Sequence, residues 1–141
     1  MPAGDLIERH WKPVVDRFFD AGLDNLKPHE QRYFLIVSLL GDLDEGGLEQ
    51  YLSGSLGALL PQAADAMETI GDAETAASLR EISGWFPGGA PAADDTERAR
   101  QVSELSNPQL GALEEISDAI ADKEGDILRQ LETHLAPHYG A

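Results

Sequence analysis

Apolar side chains recur along the chain at intervals of three and four residues, which is the spacing of one face of an α-helix. The first such segment runs from Ile7 to Phe19. Pro13 lies inside it and lacks the amide hydrogen that a helix interior needs. We therefore predict a short helix to about Trp11, a restart with Pro13 in its first turn, and an end at Gly22.

The same spacing predicts four further helices in the middle of the chain. Pro28 opens one that runs to about Leu43. A glycine pair then allows a sharp turn, and a short helix follows over residues 48–52. Another long helix ends at Gly71, and Asp72 is a favourable N-cap for its successor, because a carboxylate accepts hydrogen bonds from free amides at a helix start.

The last third of the chain contains two or three more helices. Asp94 resembles the first residue of a capping box for one of them, and Asn107 with Pro108 is expected to cap the next. Gly125 either breaks or weakens that helix, and the pattern continues to Pro137. No alternating β-branched run and no internal repeat is present. The prediction is an all-α, single compact domain of about six to eight helices, with residues 1–29 as an N-terminal helical extension packed on a domain of residues 30–141.

Composition supports a folded, soluble protein. Of the 141 residues, 42% are hydrophobic, which is enough for a core and atypical of a disordered acidic chain. There is no cysteine, so disulfides and thiol chemistry are excluded. No apolar run approaches the roughly 18 residues of a membrane span, and charged residues interrupt the N-terminal segment where a signal peptide would be apolar. We expect a cytoplasmic location and no membrane association.

The charge is strongly negative and unevenly distributed. The formal net charge is −16. Residues 1–41 carry six acidic and five basic side chains, whereas residues 42–141 carry 20 acidic and five basic ones. Direct binding to nucleic acid or to an anionic membrane is disfavoured by like-charge repulsion. A basic protein or a metal cation is the class of partner that this charge attracts.

Catalytic and metal-binding motifs are largely missing from the sequence. His134 and His138 are four residues apart, but Pro137 lies between them near the chain end, so we predict no metal site and no cofactor. There is no phosphate-binding loop and no nucleophile elbow. With 26 acidic residues, neighbouring carboxylates arise by chance and are best explained as solvated surface. We predict that the protein is not an enzyme, although a cavity built from Glu, His and Tyr is the alternative.

The stretch from Glu45 to Gly57 carries the most distinctive motif. It resembles the GGFxQYFxNSxG signature of an acidic, all-helical domain family of largely unknown function, one characterised kind of which is the DNA-mimic protein. Segments similar to later parts of that family follow in order at Ala66–Gly71, Glu74–Leu79 and Phe86–Gly89. The resemblance covers roughly residues 30–136.

Within the signature, this chain departs from the family at a few positions. Glu45 stands where the family commonly has Asn, Leu48 and Leu52 stand where Phe is common, and Gly54 replaces another Asn. The resemblance implies a structural role for the shared positions, which are Gly46, Gly47, Gln50, Tyr51, Ser55 and Gly57. We expect the Gln50 side chain to bond loop backbone, and the Tyr51 ring to pack with its hydroxyl at the surface.

The resemblance implies that the protein occupies the nucleic-acid site of a basic DNA-binding protein, such as a helix-turn-helix repressor. Carboxylates can pair with Arg and Lys as phosphates do. One helix underfills the charge pattern of duplex DNA, so acids from several helices must share a surface. The candidate partner-binding acids fall in two regions of the sequence: Glu45, Glu49, Asp65, Glu68, Asp72 and Glu74, then Glu114, Glu115, Asp118 and Asp122. The second region also contains Glu124 and Asp126.

Two alternatives remain open from the sequence. One is a generic helical interaction or immunity-type module that uses an apolar groove near Tyr51 and Trp85. The other is that the acidity serves solubility alone. Self-association into a homodimer through the apolar surface of the first helix is compatible with either.

Overall fold

The structure, a computed structural model, describes residues 5–139. They form seven α-helices joined by turns and short 3-10 segments, with no strand in this part of the chain. The helices are α1 (Asp5–Ala21), α2 (Pro28–Ser53), α3 (Leu60–Thr69), α4 (Ala73–Ser83), α5 (Asp95–Ser103), α6 (Asn107–Asp122) and α7 (Glu124–Leu135). The all-α prediction and the expected number of helices are confirmed.

Helix α1 is continuous through Pro13, so the predicted break near Trp11 is wrong. The apolar face buries Leu6 and Ile7 before the proline and Val14 after it, while Pro13 itself is exposed. A proline inside a helix costs about 3 kcal/mol. Each fully buried aliphatic side chain contributes about 1.5–3 kcal/mol, so packing on both sides of the proline outweighs that cost. Gly22 ends α1 as predicted, with a positive φ of 84°.

Helix α2 is the centre of the fold and packs against α1, α3, α5, α6 and α7. The two helices predicted around the glycine pair join into one element that runs to Ser53. It is kinked at Gly47, where φ is 76° and ψ is −170°. That backbone conformation is accessible chiefly to glycine, so the sharp turn predicted at the glycine pair is confirmed at Gly47.

The remaining helix ends show which of the predicted caps form. Asp72 caps α4 and Asp94 caps α5, each accepting a backbone amide, as predicted. Helix α6 is capped by Ser106 with Gln109 in a capping box, so the prediction of Asn107 is wrong by one residue. Lys123 separates α6 from α7, two residues before the expected break at Gly125.

The core is continuous across the described residues. Leu6, Ile7 and Val14 of α1 belong to the same buried cluster as the side chains of α2 to α7. The division of the chain after residue 29 stays a prediction. No α-helix within residues 5–139 has the length and apolarity that a membrane crossing requires.

Candidate functional site

The kink in α2 is held by α6. Because Gly47 is not helical, the amide of Leu48 lacks its usual helical acceptor and donates to Ser117 Oγ at 2.9 Å. Ser117 Oγ in turn donates to the carbonyl of Leu113 at 2.7 Å. The hydroxyl therefore joins α2 and α6 at the kink.

Acidic side chains from α2 and α6 line the groove beside this contact. The groove has a volume of about 330 Å³, and its lining includes Glu49 from α2 and Glu114 from α6. Asp118 follows Glu114 by four residues and so lies on the same face of α6. Glu45 lies just before the kink, where its carboxylate accepts a 3.1 Å hydrogen bond from Gln50 Nε2. We call Glu45, Glu49, Glu114 and Asp118 the acidic groove.

The acidic groove carries net charge because its carboxylates are not neutralised. None of the ion pairs formed among residues 5–139 includes any of its four members. Two flanking carboxyls are affected by the crowding. Burial, and then the charge of Glu45, raises the pKa of Asp42. Burial, and then the proximity of Asp44, raises the pKa of Glu124. Two pairs of like charges, Asp42 with Glu45 and Asp44 with Glu124, therefore lie near each other beside the acidic groove.

The outer side of α6 extends this acidic surface. Glu115 lines a second, smaller groove between α4 and α6 together with Glu74 and Lys123. Lys123 Nζ lies 3.8 Å from the Glu74 carboxylate and partly balances that groove. Asp122 is exposed at the end of α6. Five of the predicted acids thus lie on or beside α6: Glu74, Glu114, Glu115, Asp118 and Asp122.

Two of the predicted acids are engaged elsewhere. Arg80 of α4 donates to Asp65 and to Glu68 of α3, both at 2.8 Å. The hydrogen bond from Arg80 lowers the pKa of Glu68. Both carboxylates are exposed, but their charge is offset locally by the guanidinium.

Asp72 does not belong to the exposed acidic surface that the sequence predicted. Its side chain is 7% exposed, and it accepts bonds from the Thr75 amide at 3.1 Å, the Thr75 hydroxyl at 2.6 Å and Lys123 Nζ at 3.0 Å. Burial raises the pKa of Asp72, but the bonds from Thr75 and Lys123 outweigh burial and leave that pKa below its usual value. The prediction failed because the N-cap position turns the carboxylate inward.

Comparison with known proteins identifies the family. The family model described as DMP19-like protein matches residues 24–138, which is most of the chain. The chain belongs to the DMP19-like family. DMP19 is a DNA mimic protein family, and the match contains the whole stretch on which the sequence resemblance rests. No curated protein and no solved structure matches the chain.

Two positions of the signature in this DMP19-like protein behave differently from the prediction. Gln50 bonds the Glu45 carboxylate and not loop backbone. Tyr51 is 1% exposed, so its hydroxyl is not at the surface. Burial, and then the nearby Asp42 carboxylate, raises the pKa of Tyr51. The periodic pattern did not distinguish a surface tyrosine from a core tyrosine, because the surrounding helices decide which it is.

The other signature positions lie around the end of α2. Gly57 is buried, and a Cβ there would collide with the backbone carbonyl of Leu52. Gly46 is exposed beside the Gln50 side chain, and Ser55 is exposed in the turn after α2. The close approach at Gly57 fixes the path of the chain from α2 into α3.

The apolar groove considered as an alternative site corresponds to a cleft beside Trp85. Trp85, Phe86 and Leu105 line a cleft of about 230 Å³ that also contains Arg100 and Glu104. Tyr51 is not part of its lining. Arg100 is bonded to Glu104 at 2.7 Å across the polar side of the cleft.

Sequence reasoning missed the residues that organise the acidic groove. Ser117 gives no signal in the sequence, because a single serine inside a helix has no distinctive pattern. Asp42 and Asp44 belong to an acidic run that precedes the signature, and this run was the available signal. Residues 5–139 contain no group of three or more His, Asp or Glu side chains placed to hold a metal ion.

Proposed function

We propose that this DMP19-like protein binds the DNA-binding face of a basic protein through the acidic groove and the outer acids of α6, and thereby blocks its DNA site. The observation that carries the proposal is the separation of the acids into two sets. Four acids outside the groove are paired with Arg80 or Arg100, whereas the four carboxylates of the acidic groove form no ion pair within the described residues. Unpaired carboxylates held close together are stabilised by an incoming cationic surface.

The charge spacing is compatible with this role. Glu114, Asp118 and Asp122 follow each other at four-residue intervals, which is about 6 Å along a helix axis. The α2 acids Glu45 and Glu49 form a second row across the groove, so the two rows place roughly one charge per 3 Å. Duplex DNA carries about one charge per 1.7 Å of axis. The surface reaches roughly half that density, and a DNA-binding protein that approaches it replaces phosphate contacts with carboxylate contacts.

Two charge-matched variants test the proposal. The groove variant carries Glu45→Gln, Glu49→Gln, Glu114→Gln and Asp118→Asn. The control variant carries Asp65→Asn, Glu68→Gln, Glu97→Gln and Glu104→Gln, which removes four charges from acids that already have arginine partners. Both variants change the net charge equally, so any difference between them reflects position and not total charge.

Binding is measured with a basic DNA-binding protein captured from host lysate at low salt and then purified. We expect the native protein to displace that partner from labelled duplex DNA, with an affinity that falls steeply as salt rises. The groove variant should bind about 30-fold or more weakly, because four charge contacts each contribute modestly, and the control should remain within about threefold of the native protein. Equal weakening of both variants, or binding insensitive to salt, would contradict the proposal.

A second candidate function is recognition of a partner through the Trp85 cleft. The favouring observation is a partly exposed tryptophan beside Phe86 and Leu105 in a concave surface. In that case Trp85→Ala should abolish capture while the groove variant leaves it intact, and salt should have little effect. The absence of enzymatic activity and the cytoplasmic location stay predictions.

A further inference from the structure

All four histidines of the chain gather at one place, although they come from its two ends. The His29 and His138 rings stack with their centroids 3.9 Å apart, and the His134 ring lies 6.3 Å from that of His138. The His10 ring stacks on Tyr139 at 4.2 Å. We call these four residues the histidine cluster. It joins α1, the start of α2, the end of α7 and the 3-10 segment Ala136–His138.

We propose that the histidine cluster is a proton-operated latch, which holds the C-terminal segment and the start of α1 against α2 when it is neutral and releases them when it is protonated. The inference does not depend on the proposed function, since none of these residues lies in the acidic groove.

The hydrogen bond at His134 requires a neutral ring. Arg32 Nε donates to His134 Nε2 at 2.8 Å, and this nitrogen can accept only if it carries no proton. Protonation removes the acceptor and places an imidazolium directly against a guanidinium. The bond that ties the end of α7 to α2 would therefore become a repulsion.

The His29 and His138 rings stack on each other, so protons on both rings would set two cations face to face. Two cations about 4 Å apart repel strongly at the dielectric of a protein surface. Stacking of His29 on His138 is the contact that fastens the 3-10 segment to the first turn of α2. Protonation of both rings therefore weakens the contact that holds the 3-10 segment against α2.

The acidic groups that face the cluster are already engaged. Glu30 of α2 is 3% exposed, accepts the Lys27 amide at 3.0 Å and is paired with Arg17 of α1. Glu132 of α7 accepts the Leu6 amide at 3.2 Å. The basic side chains Lys27, just before α2, Arg32 of α2 and Arg17 of α1 add positive charge. A proton added to one of the histidines therefore meets carboxylates that already have partners and basic side chains that repel it.

Two tyrosines beside the histidine cluster, Tyr33 and Tyr139, differ in the hydrogen bonding of their hydroxyls. Tyr33 of α2 donates its hydroxyl hydrogen bond to the carbonyl of Ile7 in α1. The Tyr139 hydroxyl is buried without a hydrogen-bond partner among the described residues. Burial, and then the Glu30 charge, raises the pKa of Tyr139 against a smaller opposing effect of Arg17. The C-terminal end of the latch is consequently the part that gives way first.

The direction of the histidine pKa shifts agrees with this geometry. Burial, and then the charge of His138, lowers the pKa of His29, with further lowering by Lys27 and Arg32 against Glu30. Burial, and then Arg32 and His138, lowers the pKa of His134. An unfolded histidine titrates near 6.5. The closed latch is therefore fully stable above about pH 6.5 and loses stability as the pH falls from there toward the lowered values.

Hydrogen exchange of the full chain at pH 7.5 and pH 5.5, corrected for intrinsic rates, tests the latch. We expect exchange over residues 5–12 and 131–139 to rise roughly tenfold or more at pH 5.5, given the strength of like-charge repulsion at this distance. Residues 73–83 of α4 are the internal control and should not respond. The variant His29→Gln, His134→Gln, His138→Gln keeps an acceptor for Arg32 and leaves His10 as the only ring of the histidine cluster that can be protonated, so most of the pH response should disappear. A native chain with no response, or a variant with the native response, would overturn the proposal.

A second measurement covers the case in which the triple variant does not fold. NMR titration of the native protein follows the histidine ring protons, the amides of Ala136, His138 and Tyr139, and the indole of Trp11. The Trp11 ring packs on Tyr33 and Phe34. We expect the amides and the indole to shift along the same titration curve as His29 and His134. Histidines that titrate while those amides and the indole stay unchanged would refute the latch.

Discussion

Replacing Asp72 by alanine should destabilise the protein strongly, although the sequence placed this residue among the partner-binding acids. Its carboxylate caps α4, accepts the hydroxyl of the buried Thr75 and bonds Lys123, which is about three-quarters buried. Loss of an N-cap costs about 1 kcal/mol. An orphaned hydroxyl and a lysine without its bonded carboxylate cost about 1 kcal/mol each. We therefore expect a loss of about 3 kcal/mol in the free energy of unfolding.

Urea denaturation followed by circular dichroism measures this loss. For a slope of roughly 2 kcal/mol per molar urea, the midpoint should fall by about 1.5 M. Glu74→Ala is the matched control, since Glu74 is exposed and only 3.8 Å from the same lysine. It should cost less than about 1 kcal/mol. Asp72→Asn keeps an acceptor at the cap, so its loss of unfolding free energy should lie between those of Asp72→Ala and Glu74→Ala.

The pH dependence gives an independent check of the mechanism. Because the folded pKa of Asp72 is lowered, its contribution is present above the unfolded value of about 3.9 and is lost as the pH falls through the folded pKa. The difference between the native protein and Asp72→Ala should thus be full at pH 7 and shrink below about pH 4. A midpoint unchanged at pH 7, or a difference that grows in acid, would refute the reasoning.

Three further predictions concern the kink and the core. Gly47→Ala should destabilise the protein by about 1–3 kcal/mol, because φ is 76° at this position. Gly41→Ala, at a helical position with open space around it, should stabilise the protein by roughly 0.5–1 kcal/mol. Thermal denaturation compares the two variants, and equal effects would contradict the assigned kink. Ser117→Ala should cost about 1–2 kcal/mol by leaving the Leu48 amide unpaired, and faster hydrogen exchange at that amide would verify it. Tyr51→Ala should cost about 3–5 kcal/mol as a core truncation, so reduced binding without any loss of stability would argue for a surface role instead.

The helical class and most of the helix boundaries were predictable from the sequence alone. Three- and four-residue spacing is a local property, and the caps at Asp72 and Asp94 act within three residues of themselves. Glycine at position 47 was recognisable as a bend for the same reason. Local signals failed at Pro13, where an unfavourable residue is tolerated because the helix packs on either side of it.

Which acids remain available to a partner was decided only by the tertiary structure. The sequence shows an excess of carboxylates over residues 42–141, but Arg80 neutralises acids 12 and 15 residues away, and Lys123 bonds Asp72 across 51 residues. The histidine cluster likewise joins positions near both ends of the chain. Composition and periodicity are properties of neighbouring residues, whereas pairing and burial depend on where distant helices meet. The amount of negative charge can therefore be read from the sequence, whereas the meeting of Glu49 and Glu114 at one groove depends on how α6 packs on α2 at the kink.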